Sequence, residues 1–337
     1  MWLPDDLPRV PVADGDRRLP CDQPFTVARA EECGVSRRTL RRMVRDGLLR
    51  RLFPGVYVDS AADDDMLMRT RALALVLPEG AVATDRTAAW LHGVDALRPA
   101  DHMVPPPLDI DRLPGGTRVR KKGVDGGQRT LAPADVEDVH GVAVTTPLRT
   151  ALDLGRLTPR DQAIAALDGL LRLGRFSHQE LLADVERFAG QRGVVQLREL
   201  APLADARSDS PGESALRLRW IEAGLPPVRP QVPVRVNRVG IARAYVDLGN
   251  EELRFGAEYD GWEWHSSDEQ REHDRRRRKW LRDEEGWTLV VFTKSEVFAD
   301  DRGHVARILR AELEKHLRRP AVSRQSVHDT PRFQGQN

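Results

Sequence analysis

Between residues 242 and 280 the chain reads ARAYVDLGNEELRFGAEYDGWEWHSSDEQREHDRRRRKW. Two apolar runs of strand-like composition, 244–248 and 253–259, carry or adjoin three acids, Asp247, Glu258 and Asp260. An unpaired carboxylate buried in such a run costs on the order of several kcal/mol, so acids placed there need a reason. A divalent cation supplies one, because Mg2+ or Mn2+ is held by one or two carboxylates together with waters and phosphate oxygens. His265, Gln270, Asp274 and a basic run at 275–279 follow directly. Acids for a metal beside cations for phosphate are the ingredients of phosphodiester hydrolysis. Each residue also has a plainer reading. Asp247 can end a strand, Glu258 and Asp260 can shape a turn before Gly261, and RRRRK can be a solvated helix face.

For Asp247 and Glu258 to share an ion, the connection between their strands must be right. A two-residue hairpin at Gly249 and Asn250 would pair Asp247 with Glu252 and leave Glu258 roughly 20 Å away along the strand. The shared site therefore requires a longer loop, expected through residues 250–252. The surrounding elements are a helix over 213–223, strands at 231–236, 241–248 and 253–259, a long basic helix over 267–284, a strand at 287–292 and a helix over 303–317. This α-β-β-β-α-β-α order spans residues 210–318, and the boundary before it is expected at the Ser-, Asp- and Pro-containing stretch 204–212.

A second chemical cluster lies near the N-terminus. Ser36 is a suitable N-cap for RRTLRRMVRDG, which stops at Gly47. Helical spacing turns Leu40, Met43 and Val44 inward and spreads Arg37, Arg38, Arg41, Arg42 and Arg45 over the outer face. A helix over 25–33 precedes it, and LLRRLFPGVYV, with its Pro-Gly turn, follows as a hairpin. Helix, turn, basic helix and hairpin is the order of a winged helix-turn-helix over 24–62, preceded by a polar arm at 1–23. Residues 63–203 read as a mixed α/β region, with short strands at 117–120 and 141–145, then helices over 147–155, 161–173 and 177–188. Ser177 and Glu180 form a capping box there. His92, at a helix end, reads as a capping or packing residue. Residues 319–337 read as a polar, disordered tail.

Composition excludes less than these clusters suggest. Lys+Arg 53 and Asp+Glu 52 leave a formal charge of +1, so only local clusters bear on nucleic acid. Two cysteines, Cys21 and Cys33, argue against a disulfide scaffold and for a reducing cytoplasm. The apolar runs are too short to cross a bilayer.

Two resemblances follow from these residues. GVSRRTLRRMVRDGLLRRLFPGVYV, with ATDRTAAWLHG at 83–93 and TTPLRTALDLG at 145–155, resembles AbiEi-type antitoxins of type IV toxin–antitoxin systems over roughly the first half of the chain. The C-terminal third resembles the PD-(D/E)xK nuclease superfamily, in the branch similar to very-short-patch-repair endonucleases. SPGESALRLRWIEAGLP, YVDLG, AEYDGWEWH, the spacing of Gln270, Asp274 and Arg278, and GWTLVVFT carry that likeness. It implies a restriction-endonuclease-like domain in which Glu213 is the helical acid and Asp247 and Glu258 hold Mg2+ or Mn2+. Where the superfamily carries Lys two residues after the acid, this chain has Asp260. His265 then becomes the candidate acid or base, and Asp260 a possible further ligand. The resulting expectation is a multidomain α/β protein acting as a Mg2+-dependent DNA endonuclease, with Arg275 and Arg278 on the phosphate backbone. The alternative is a non-enzymatic antitoxin or transcriptional regulator with an inactive nuclease fold, encoded beside a nucleotidyltransferase toxin.

Overall fold

The computed structural model describes residues 19–63, 65–78, 80–96, 107–120, 124–236, 241–261, 268–299, 301 and 303–318. The chain divides into two units, Met1–Ala215 and Leu216–Asn337.

The first unit begins with β1 (Phe25–Thr26), α1 (Val27–Glu32), α2 (Arg37–Arg45), β2 (Leu49–Phe53) and β3 (Val56–Asp59). Phe25 and Thr26, expected inside the first helix, instead pair with Tyr57 and Val56. Thr26 stays extended because its side chain caps α1, accepting from the Arg29 amide. β2 and β3 form the expected hairpin around Pro54 and Gly55, and Gly55 takes φ 87°, open to glycine at little cost. The three strands order β1-β3-β2. Their core joins Phe25, Leu49 and Leu19 to Ala30, Leu40 and Met43 from the two helices and to Cys33, which caps the end of α1.

After the hairpin come α3 (Met66–Ala74), β4 (Ala81–Ala83), α4 (Asp85–Leu91), β5 (Leu108–Arg112), β6 (Val124–Gln128), β7 (Val136–Val139) and β8 (Val142–Thr145). They build one five-stranded sheet, β6-β5-β4-β8-β7. Residues 117–120, expected as a strand, are irregular, and the ladder position beside β5 is taken by the Gly-containing β6. Phe53 and Val56 of the hairpin pack into the core of this sheet with Leu91, Ile110 and Val144, so the hairpin is anchored from behind. Helices α5 (Pro147–Leu157), α6 (Arg160–Arg172), α7 (His178–Asp184) and α8 (Val194–Leu200) complete the unit. The Ser177–Glu180 capping box is present.

Helix α9 (Pro211–Glu222) carries the division between the units, at Ala215/Leu216. The boundary is expected at 204–212, and the division falls just beyond that stretch. Ala204 and Ser208 are buried, and the Asp205 amide donates to Asp168 of α6 at 2.7 Å. Arg172 of α6 donates to the Ser208 carbonyl, so this stretch belongs to the first unit. The second unit continues with β9 (Arg229–Val236), β10 (Ala242–Asn250), β11 (Phe255–Asp260), α10 (Asp268–Asp283), β12 (Thr288–Thr293), α11 (Lys294–Val297) and α12 (Gly303–Arg318). Its sheet orders β12-β11-β10-β9, antiparallel except for β11 with β12. The β10–β11 connection is the four-residue turn 251–254, with Leu248 opposite Ala257 and Gly249 opposite Gly256. Trp287 lies over this end of the sheet, where a Cβ on Gly249 would come within 2.9 Å of its ring.

Candidate nucleic-acid interface and buried charge clusters

Helix α2 starts where Ser36 Oγ accepts from the Thr39 amide at 3.2 Å. Leu40 and Met43 are buried and Val44 partly so, which fixes the rotation of the helix. At about 100° per residue, Arg37, Arg38, Arg41, Arg42 and Arg45 fall within an arc of about 140° on the opposite side. All five are exposed. Arg37 pairs with Glu31 at 2.9 Å and Arg45 with Asp46 at 3.3 Å, both at the surface. Arg38, Arg41 and Arg42 meet no ion-pair or hydrogen-bond partner among the described residues. A short capped helix offering three uncommitted guanidinium groups next to a hairpin can lie against a duplex and contact phosphates or guanine edges.

Sequence reasoning missed a second cluster, inside the mixed α/β region. Arg129 reaches Asp85 at 2.6 Å, Asp111 at 2.8 Å and Asp153 at 2.8 Å. Arg149 joins Asp153 at 2.8 Å to Asp135 at 2.7 Å, and Arg156 reaches the other oxygen of Asp153 at 2.7 Å. Beside them Arg86 grips Asp109 with two bonds of 2.8 Å. Burial works against charge on Asp153, but the surrounding guanidinium groups outweigh it and hold the carboxyl below its ordinary value. Asp109 and Asp111 go the other way, because burial pushes both upward. His92 ends α4 with its ring 2.8 Å from the Thr145 carbonyl, and burial lowers its pKa. This arrangement pins α4, α5 and the sheet together. A signal was present in LDIDR, where two acids alternate with Leu108 and Ile110.

In the second unit, continuing the ladder register by one residue sets Asp247 opposite Glu258, and Asp247 Oδ2 accepts from the Tyr259 amide at 3.0 Å. Glu258 is fully buried. Its Oε2 accepts from Arg278 Nε at 2.6 Å. Its Oε1 lies 2.9 Å from Arg277 Nη1, a charge contact without hydrogen-bond alignment. Arg278 turns its remaining nitrogens to Asp260 at 3.3 and 3.4 Å, and Arg277 Nη1 donates to the Tyr245 carbonyl at 2.7 Å. Burial opposes the charge on Arg278, yet Glu258 and Asp260 hold its pKa above the ordinary value. Arg278, expected on phosphate, has its donors turned onto Glu258 and Asp260 in this structure. Arg275 is exposed and shares Glu272 with Arg276, each at 3.2 Å. Asp274 is exposed, 3.9 Å from Arg277.

Glu213 accepts from the Ser210 hydroxyl at 3.0 Å and the Asp209 amide at 3.1 Å, closing the first turn of its own helix. His265 and the side chain of Gln270 lie outside the described residues. No group of three His, Cys, Asp or Glu side chains among the described residues is placed to hold a metal ion. Glu258, with a guanidinium against each oxygen, does not fit a divalent cation as it stands. No described helix is long and apolar enough to cross a membrane.

Comparison with known proteins bears on the first unit most directly. A family model described as "Transcriptional regulator, AbiEi antitoxin" matches residues 22–58, and one described as "AbiEi antitoxin C-terminal domain" matches residues 81–203. Over 279 residues the chain is 35% identical to an uncharacterised protein of Mycobacterium tuberculosis, found in two strains, covering 82% of this chain and 97% of that protein. A shared stretch of 279 residues is longer than the first unit, so it includes part of the second. The chain belongs to the family of this mycobacterial protein, and it carries the regulator and C-terminal domains of AbiEi antitoxins.

Proposed function

We propose that the protein is a DNA-binding transcriptional regulator of the antitoxin type. Helix α2 enters a groove of duplex DNA and the β2–β3 hairpin serves as the wing. The observation that carries this reading is the exposed arginine arc of α2, with Arg38, Arg41 and Arg42 uncommitted among the described residues. The AbiEi matches over 22–58 and 81–203 support it. As an antitoxin it acts with a nucleotidyltransferase toxin encoded beside it. Selection of bound duplexes from a random pool tests the reading. The wild type enriches a defined site, and Arg38→Ala/Arg41→Ala/Arg42→Ala does not. Failure of the wild type to enrich any duplex would contradict it.

The second unit, on this proposal, has the fold of a PD-(D/E)xK nuclease without turnover. Its α-β-β-β-α-β order, followed by the short α11 and by α12, and the facing of Asp247 and Glu258 support that assignment. The same facing favours a second reading, a Mg2+- or Mn2+-dependent DNA endonuclease in which Asp247 and Glu258 hold the ion. That reading requires Arg277 and Arg278 to leave Glu258. Cleavage of plasmid or mismatched duplex in Mn2+ that disappears in Asp247→Ala would establish it.

A further inference from the structure

We infer that Arg277 and Arg278 are the permanent counter-cations of Glu258, standing where a divalent ion would otherwise be needed. This goes beyond the regulator reading and does not depend on it. A carboxylate with no solvent exposure requires compensation inside the protein. Glu258 has one guanidinium for each oxygen, at 2.9 and 2.6 Å, from consecutive residues of α10. Neither arginine hangs from that contact alone. Arg278 is held on its far side by Asp260, and Arg277 by the Tyr245 carbonyl at 2.7 Å. A cation with ligand distances of about 2.1 Å would have to displace both guanidinium groups from the glutamate. It would also leave two positive side chains beside it in a region of low dielectric. The inner strand β11 is thus tied to α10 by charge, and the acids at its end serve the fold.

The two possibilities predict opposite signs for one substitution. If Glu258 faced Asp247 without resident cations, removing its charge would relieve repulsion and raise the stability of metal-free protein. With resident arginines, the same change strands two guanidinium groups and lowers stability. The test is thermal unfolding of the full chain, wild type and Glu258→Gln, in EDTA and in millimolar Mn2+. The wild type is expected to melt at the same temperature in both. Glu258→Gln is expected to melt lower by roughly 4 °C or more in both, and failure of the variant to fold counts in the same direction. A wild-type melting temperature raised by Mn2+, with the rise lost in Glu258→Gln, would overturn the inference. So would a Glu258→Gln protein as stable as wild type in EDTA. DNA binding through α2 is read separately, so neither result decides the regulator reading.

Discussion

Helices α2 and α10 look alike as sequence, RRTLRRMVR against DRRRRKW, and the structure uses their arginines differently. On α2 the apolar residues Leu40 and Met43 claim the inward face, and the arginines stay in solvent, with Arg37 and Arg45 paired to Glu31 and Asp46 at the surface. On α10 the sheet beneath carries Glu258, and Arg277 and Arg278 turn onto it. Arg129 and Arg149 of the first unit behave as the α10 pair does, each caged by aspartates. An arginine run therefore does not define a nucleic-acid surface; the carboxylates within reach decide whether its charge is offered outward.

That contrast can be broken at several points. The largest effect is expected at Asp153, buried and shared by Arg129, Arg149 and Arg156. Asp153→Ala should destabilise the first unit by about 3–5 kcal/mol, because it leaves buried cations uncompensated. Urea unfolding measures this, and a loss under about 1 kcal/mol would move the network to the class of weak surface pairs. Glu258→Gln should cost less, about 2 kcal/mol, since its arginines retain partial solvent contact.

Smaller still is the pH dependence carried by His92. Its folded pKa lies below the unfolded value of about 6.5, because burial disfavours the charged ring. The unfolded chain then binds the proton more readily. The stabilising contribution is full above about pH 6.5 and is lost as pH falls toward the folded value. His92→Gln should flatten that part of the stability profile between about pH 7 and 5.5. An unchanged profile would remove His92 as its source. The smallest effect is expected from Arg275→Ala/Arg276→Ala, which should shift DNA affinity less than about twofold because their charge is shared with Glu272 at an exposed surface.

The regulator unit was legible in the sequence because its signals are local. Ser36 before a periodic helix, Gly47 after it and Pro54-Gly55 between two apolar runs each act within a few residues. The second unit was legible in element order for the same reason, apart from the four-residue α11, and asking whether two acids could meet called for a connection longer than two residues, expected at 250–252 and found at 251–254. Other features depend on distant partners. Ala81–Ala83 is too short to read as a strand, and the glycines of Val124–Gln128 disguise a ladder position that only β5 defines. Arg129 and Asp85 are 44 residues apart, and nothing local marks either as buried. Arg278 reads as a phosphate contact because a basic run follows the acids in sequence, and nothing local shows that its side chain turns onto Glu258. The stretch 204–212 carries linker residues, yet Asp168 and Arg172 hold it in place.

The salt dependence of DNA binding by the full chain tests the central claim most directly. For the wild type, the logarithm of the binding constant should fall linearly with the logarithm of salt concentration. Each phosphate contact should contribute roughly 0.9 to the slope. Arg38→Ala/Arg41→Ala/Arg42→Ala should bind at least about tenfold more weakly at low salt and show a slope reduced by about 2 to 3. Affinity and slope unchanged from wild type would contradict the account and remove α2 from the interface.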